Sequence, residues 1–270
     1  MRAKKSLGQN FLADDSIAAR IVREFAPRAG ETIIEIGPGH GALTRHLVGH
    51  AGRLIAIELD RELIAPLQAR FGGRGDFKVI EADALEIDLC REIEPASAAR
   101  VIANLPYYIS TAILQRLLAQ RRCLTELVLM LQREVVERIT ARAGDRERGY
   151  LSVLVEAYCE AEKLFEIAPG AFRPAPKVWS AVVRLRPRPH AALGSITDEA
   201  LFRLVVSTGF AQRRKTIFNN LRNAPVELVE RIRAIGGADR LLERAAIAPH
   251  RRAETLTLAE WKNLTTGLID

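Results

Sequence analysis

The sequence predicts an α/β protein: a parallel sheet covered on both faces by helices, followed by a helical C-terminal segment. Three observations carry this. β-branched runs alternate with helix-patterned stretches up to about residue 149, the rhythm of βαβ units. The first of these runs ends in a cluster of glycines. From about residue 190 onward the strand signals give way to helical spacing with caps such as "TDEALFRLV".

The elements follow in order. "DDSIAARIVREFA" (14–26) has two capping-type aspartates and helical apolar spacing. "TIIEI" (32–36) is a β-branched strand stopped by glycines, and "GALTRHLVG" reads as a helix. "RLIAIEL" (53–59) is the second strand, and "RELIAPLQARF" a helix with Pro66 as an irregularity. "FKVIEAD" (77–83) and "RVIANL" are the third and fourth strands; "STAILQRLLAQ" (110–120) opens on a hydroxyl cap. "ELVLMLQ" (126–132) is the fifth strand, and "REVVERITAR" continues as a helix. "LSVLVEAYCEAEKLFEI" is ambiguous, helical at its start and strand-like at its end, whereas "SAVVRLRP" (180–187) is a clear strand. The proline pair and lost periodicity of "RPRPHAALGS" place a boundary there, giving domains 1–188 and 189–270.

Composition narrows the class. The chain has 270 residues, 48% hydrophobic, enough for a sizeable core. It has no run of about 18 apolar residues, so no membrane span is expected. The basic start "MRAKKSLGQNFL" lacks a following apolar segment, so no secretion signal is read and a cytoplasmic location is expected. Cys90, Cys123 and Cys159 are odd in number and far apart, and are expected to be free, buried side chains in a reducing compartment. The five histidines show no metal-ligand pattern; His46 and His50 sit four apart with no third ligand. The net charge is +7, and its distribution is uneven. Residues 1–170 hold 23 Lys and Arg against 24 Asp and Glu, while the last hundred hold 17 against 9. Such an excess suits a polyanionic partner, with nucleic acid slightly ahead of an ordinary basic surface.

Ligands of open α/β sheets bind at the carboxyl ends of the strands. Those ends carry "EIGPGHGA" (35–42), Glu58, Asp83 and Asn104. Gly37, Gly39 and Gly41 allow close approach to the backbone. Gly37, Gly39 and Ala42 also satisfy the dinucleotide fingerprint, with Glu58 placed for a ribose hydroxyl, so a nicotinamide oxidoreductase competes at this point. Glu35, inside an apolar strand, needs partners. A nucleoside needs an acid for its ribose diol and an acceptor for its exocyclic amine, roles that suit Glu58 and Asp83. A carboxylate-lined pocket also tolerates a cationic ligand such as S-adenosylmethionine. In "NLPYYIS" the Asn104 side-chain oxygen and the Leu105 carbonyl can accept both N–H bonds of an aromatic amine. Pro106 fixes the aim of that carbonyl, and Tyr107 can stack on the target ring. Tyr108 is expected to pack beneath the site.

These stretches carry a resemblance. "NLPYYIST" resembles the N/D-P-P-Y-type motif of amino methyltransferases. Together with "KKSLGQNFL", "EIGPGHGALT", "IELD", "FRPAPKVWSAVVRL" and "FAQRRKTIFNNL", it resembles the small-subunit ribosomal RNA adenine dimethyltransferases, relatives of the Erm resistance methyltransferases. The likeness runs from about residue 4 into the helical tail. It implies a Rossmann-like class I S-adenosylmethionine-dependent methyltransferase sheet with a small C-terminal all-α domain. The implied activity is dimethylation of the N6 amines of two adjacent adenosines near the 3′ end of 16S rRNA, with a role in small-subunit biogenesis. It also implies S-adenosyl-L-methionine contacts at Asn10, Leu12, Gly37, Glu58, Asp83 and Asn104. Tyr107 and Phe172 would be the two aromatic walls of the base pocket. The family's loop is close to P-P-P-K-V-D-S; here it is "PAPKVWS", and Trp179 cannot copy an aspartate's hydrogen bonds. Lys177, Arg213, Arg214, Lys215 and Arg222, with Arg251, Arg252, Lys4 and Lys5, are expected to grip phosphates of 16S rRNA or the immature small subunit. Asn219 and Asn220 are possible donors beside them. An Erm-like enzyme and a non-catalytic assembly factor share parts of this surface. A monomer is expected, because basic faces resist self-association.

Overall fold

The computed structural model describes residues 10–188, 192–194 and 196–269. Strand β1 (Phe11–Leu12) leads into helix α1 (Asp15–Phe25), then β2 (Thr32–Ile36), α2 (Thr44–Leu47), β3 (Arg53–Glu58), α3 (Arg61–Phe71) and β4 (Phe77–Glu81). Next come α4 (Leu89–Glu92), β5 (Ala99–Asn104), α5 (Ser110–Ala119), β6 (Leu124–Gln132) and α6 (Arg133–Thr140). Helix α7 (Tyr150–Tyr158) runs directly into β7 (Cys159–Ile167), followed by β8 (Phe172–Arg173) and β9 (Ser180–Pro187). The tail consists of α8 (Glu199–Gly209), α9 (Ile217–Arg222), α10 (Val226–Ala234), α11 (Ala238–Arg244) and α12 (Leu258–Thr266).

The main sheet has the order β4-β3-β2-β5-β6-β9-β7. Strands β4, β3, β2, β5 and β6 are parallel, and β9 runs antiparallel to β6. Every residue of β2 is buried, as expected for a central strand covered on both faces. After β2 the chain moves outward to β3 and β4, then returns to place β5 on the other side. The carboxyl ends of β2 and β5 therefore flank the topological switch point, where such sheets open a ligand crevice. At the opposite end of the sheet, Arg100 bridges Glu31 (2.7 Å) and Glu126 (2.6 Å) and closes on the Phe25 carbonyl. These side chains are mostly buried and mutually satisfied, which suits structural support rather than ligand exchange.

The chain divides into two compact units: Met1–Val136 with Ala161–Pro187, and Glu137–Glu160 with Arg188–Asp270. A single cut after residue 188 does not describe this division. The stretch Glu137–Glu160 belongs with the helical unit, although no break in helical spacing marks its start. Within that unit Trp261 is fully buried and stacks on Phe210 at 5.5 Å. A side chain on Gly209 would lie 2.3 Å from the indole, so glycine permits this close approach. Arg148 is also fully buried there, held by Glu156 at 2.6 Å and the Ala141 carbonyl at 3.1 Å.

The cysteines correct the sequence reading. Cys90 and Cys123 form a disulfide across 33 residues, and the buried Cys159 is not disulfide-bonded. Gln120 joins the two segments: its Oε1 accepts the Leu89 amide at 2.7 Å, and its Nε2 donates to the Ile87 carbonyl at 3.2 Å. That tertiary clamp brings together cysteines whose sequence distance concealed them. No helix among the described residues is long and apolar enough to cross a membrane.

Candidate active site

The glycine loop after β2 turns at three positive φ angles: +65° at Gly37, +59° at Gly39 and +79° at Gly41. L-residues rarely adopt such angles. Glu58, buried at the end of β3, fastens this turn. Its Oε2 accepts the Gly39 amide at 3.0 Å and its Oε1 the Asp60 amide at 2.9 Å. Burial raises the Glu58 pKa above the usual carboxylate range, and the two backbone donors pull it part of the way back. Each oxygen retains a lone pair for a ligand hydroxyl.

Glu35 lies beneath the loop, buried, and accepts the Thr44 hydroxyl at 2.7 Å. Burial, reinforced by the nearby Glu58 charge, pushes its pKa up to about 8, so this carboxyl is mostly protonated at neutral pH. The sequence identified Glu35 as needing partners, and Thr44 is the partner that the structure supplies.

Across the switch point, β5 ends at Asn104. A side chain added at Gly37 would lie 3.8 Å from the Asn104 carbonyl oxygen, so the loop and the end of β5 are close neighbours. The Asn104 side chain donates through Nδ2 to the Asn10 carbonyl at 3.3 Å, leaving its oxygen as the acceptor end. Asn10 is brought there by a small antiparallel pair, β1 with β8, in which Phe11 faces Arg173 and Leu12 faces Phe172. The Ala171 carbonyl closes this strap by accepting from Ala13 (2.8 Å) and Asp14 (3.1 Å).

Leu105 is buried, with its amide bonded to the Met130 carbonyl at 3.2 Å. Pro106 then turns the chain, and its carbonyl accepts from Ile109 at 3.3 Å. Tyr107 is half-buried, its hydroxyl 2.6 Å from the buried Ser180 Oγ at the start of β9. Burial raises the phenol pKa, and Ser180 offsets this in part. Sequence reasoning missed Ser180 because its partnership spans 73 residues.

These groups surround an open cavity. Asn10, Leu12, Gly37, Glu58 and the run Asn104–Tyr107 line it, as do Phe11 and Glu35. Two expected residues stand elsewhere. Asp83 is half-buried in the turn after β4, where its side chain accepts the Leu85 amide at 2.8 Å, and it does not line the cavity. Phe172, within the strap and opposite Leu12, is 0% exposed and part of the core; it does not line the cavity. The ring that does line the cavity from this strap is Phe11, set against His40 at 4.2 Å between centroids with the rings tilted by 47°. Tyr108 is exposed rather than packed beneath the site.

The expected phosphate contacts also separate. Arg214, Lys215, Arg222 and Lys177 are exposed. Arg213 is exposed too, but its guanidinium is engaged by the Arg146 and Arg148 carbonyls within the helical unit. Asn220 is buried and donates to the Gly209 (2.6 Å) and Gln212 (3.3 Å) carbonyls, so it is a strut, not a surface donor. Arg251 pairs with Glu260. Lys4 and Lys5 lie outside the described residues.

Residues 1–264 match the family described as ribosomal RNA adenine dimethylase. The chain belongs to that family. Among adenine dimethylase relatives, a "Ribosomal RNA small subunit methyltransferase A" from Hahella chejuensis is 45% identical, covering 100% of this chain and 94% of that protein. The protein of the same name from Pseudomonas aeruginosa is 42% identical, covering 100% and 96%. A dimethyladenosine transferase from Plasmodium falciparum shares the fold, with a TM-score of 0.78 at 23% identity over 94% of this chain and 95% of that one. The 23S rRNA methyltransferase ErmE gives a TM-score of 0.69 at 27% identity over 97% and 100%. In this adenine dimethylase, as in those structures, a class I methyltransferase sheet precedes helices at the C-terminus.

Proposed function

We propose that the protein transfers methyl groups from S-adenosyl-L-methionine to the N6 amines of two adjacent adenosines near the 3′ end of 16S rRNA. One observation carries this reading: the Asn104–Tyr107 turn faces the glycine loop across the switch point, with the Asn104 amide tied back to Asn10. The donor set fits the cofactor. Glu58 offers carboxylate lone pairs for a ribose diol, and the bare Gly37 leaves room above the loop. Asp83 follows Ala82, whose amide donates to the Glu58 carbonyl at 3.1 Å; it lies outside the cavity lining, and its proposed role is to meet the cofactor's adenine where the ligand extends beyond that lining.

S-adenosylmethionine supplies the electrophilic methyl. The protein's residues present the nucleophile. An adenine amine is weakly nucleophilic because its lone pair is delocalised into the ring. The Asn104 oxygen and the Leu105 carbonyl accept its two N–H bonds and draw the nitrogen towards tetrahedral geometry. Tyr107, anchored at Ser180, holds the flat base at the angle this alignment needs. No strong general base is required, because the proton is readily lost once the nitrogen is alkylated. Phe172 acts through Leu12 as packing support. Exposed Lys177 of the sheet unit, and Arg214, Lys215 and Arg222 of the helical unit, grip phosphates, and Arg213 braces the helical unit. The protein acts as a cytoplasmic monomer on the immature small subunit.

Labelled S-adenosylmethionine, supplied with immature small subunits, large subunits and free RNA, tests this. Label is expected on two adjacent adenosines of the small subunit. Label confined to large-subunit RNA overturns the substrate assignment.

A further inference from the structure

A large aromatic side chain beside the site belongs neither to the cavity nor to the core. Trp179 is 45% exposed, whereas the other tryptophan, Trp261, is 0% exposed. Holding an indole in water forgoes the apolar burial that this side chain usually gains. Its position is nonetheless fixed. The Trp179 carbonyl accepts the Arg133 amide at 2.9 Å, and the next residue, Ser180, pairs in register with Gln132. Ser180 Oγ is the partner of the Tyr107 hydroxyl. Trp179 therefore precedes one member of the Tyr107–Ser180 hydrogen bond, and the exposed Tyr108 (58%) follows the other.

The surroundings favour an anionic, ring-bearing partner. Val178 and Lys177 beside Trp179 are exposed, and no described acid pairs with Lys177. The segment 172–188 contains no Asp or Glu. We propose that Trp179 is a stacking platform for the nucleotide next to the adenosine held at Tyr107, with Lys177 on the intervening phosphate. The proposal rests on the methyltransferase reading above. Extruding one base deprives its neighbour of a stacking partner. The exposed indole of Trp179, one residue from the Ser180 that holds Tyr107, replaces that partner, as aromatic side chains do for splayed RNA bases. With two adjacent targets, the ring holds one adenosine while the other reacts.

The two tryptophans make the test direct. An RNA stem-loop with two adjacent adenosines in its loop is titrated into the wild type and W179F while intrinsic fluorescence is followed. Quenching is expected in the wild type and absent in W179F, whose remaining indole is buried. Methyl transfer to the stem-loop and to immature small subunits is then measured for W179A and W179F. The expected W179A result is a KM raised roughly tenfold on both RNAs, as for loss of one stacked base. Its kcat should stay within twofold and its cofactor affinity should not change. W179F should recover most of the loss. No quenching, or an unaltered KM in W179A, overturns the platform. So does a KM rise on subunits alone, which would place the ring against a ribosomal protein. Failure of the wild type to methylate either RNA overturns the underlying reading instead.

Discussion

The Glu58 carboxylate accepts the Gly39 amide at 3.0 Å, fastening the glycine loop after β2 to the end of β3. The same carboxylate lines the cavity, so loop shape and ligand contact depend on one side chain. Glu58→Ala removes the Gly39 and Asp60 bonds together. It also removes the acceptor for the ligand's hydroxyls, and one hydrogen bond to a charged group contributes about 1.5–3 kcal/mol, so affinity for S-adenosylhomocysteine is expected to fall roughly 10- to 100-fold. Titration calorimetry reads this directly, and unchanged affinity removes Glu58 from the cofactor site.

Gly39 has φ +59°, and an added Cβ would sit 3.0 Å from the Phe11 ring. Gly39→Ala should therefore lose about 1–2 kcal/mol of stability from the left-handed backbone alone, plus the Phe11 clash. In urea unfolding, adding Phe11→Ala should recover the clash but not the backbone cost. Full recovery would mean that the angle itself is not strained for alanine.

Asn104→Ala removes the acceptor and the tie to the Asn10 carbonyl, and leaves Glu58 and the glycine loop in place. Its kcat is expected to fall on the order of 100-fold or more, the scale for one lost transition-state hydrogen-bonding group. Cofactor affinity should change by no more than about threefold. Wild-type turnover on small-subunit RNA would remove Asn104 from the mechanism.

Glu35 couples stability to pH. Its carboxyl titrates near 8 when folded, against 4.5 for the ordinary group. The folded chain thus keeps a proton that the unfolded chain releases in this window. Stability from this group is greatest below about 4.5 and declines as pH rises towards 8, by a few kcal/mol in order of magnitude. Glu35→Gln should flatten this slope, as thermal melts across the range would register. A variant retaining the wild-type slope places its origin elsewhere.

Arg214 and Lys215 should each contribute about one unit to the slope of log affinity against log salt on small-subunit RNA. Neutralising either is expected to reduce that slope without altering thermal stability. Arg213→Gln should instead lower the melting temperature, because its guanidinium holds two carbonyls within the helical unit. Binding curves at several KCl concentrations, run beside melts, separate the two effects.

The parallel sheet and the site's main edge were legible because local patterns encode them. Pro106 must break a strand, glycines must permit positive φ, and β-branched runs mark buried strands. Partnerships across long separations were not legible. Ser180 shows nothing in sequence that points to Tyr107, and Cys90 shows nothing that points to Cys123. The two-residue strands β1 and β8 are too short for any periodicity, so the pairing of Phe172 with Leu12 could not be read. The start of the helical unit at Glu137 was hidden because the apolar spacing of α6 runs across it. Arg213 and Arg214 look alike in sequence; only tertiary packing makes one a brace and leaves the other open.

The strap formed by β1 and β8 also has a consequence for synthesis. Asn10 and Leu12 emerge first, yet their partners at 171–173 are translated some 160 residues later. A nascent chain released before Arg173 has every glycine of the loop and the whole Asn104–Tyr107 turn, but no β8 to hold Asn10 against Asn104. The site therefore reaches its final geometry only after about two thirds of the 270 residues have been made, and shorter products carry a site with one wall unfastened.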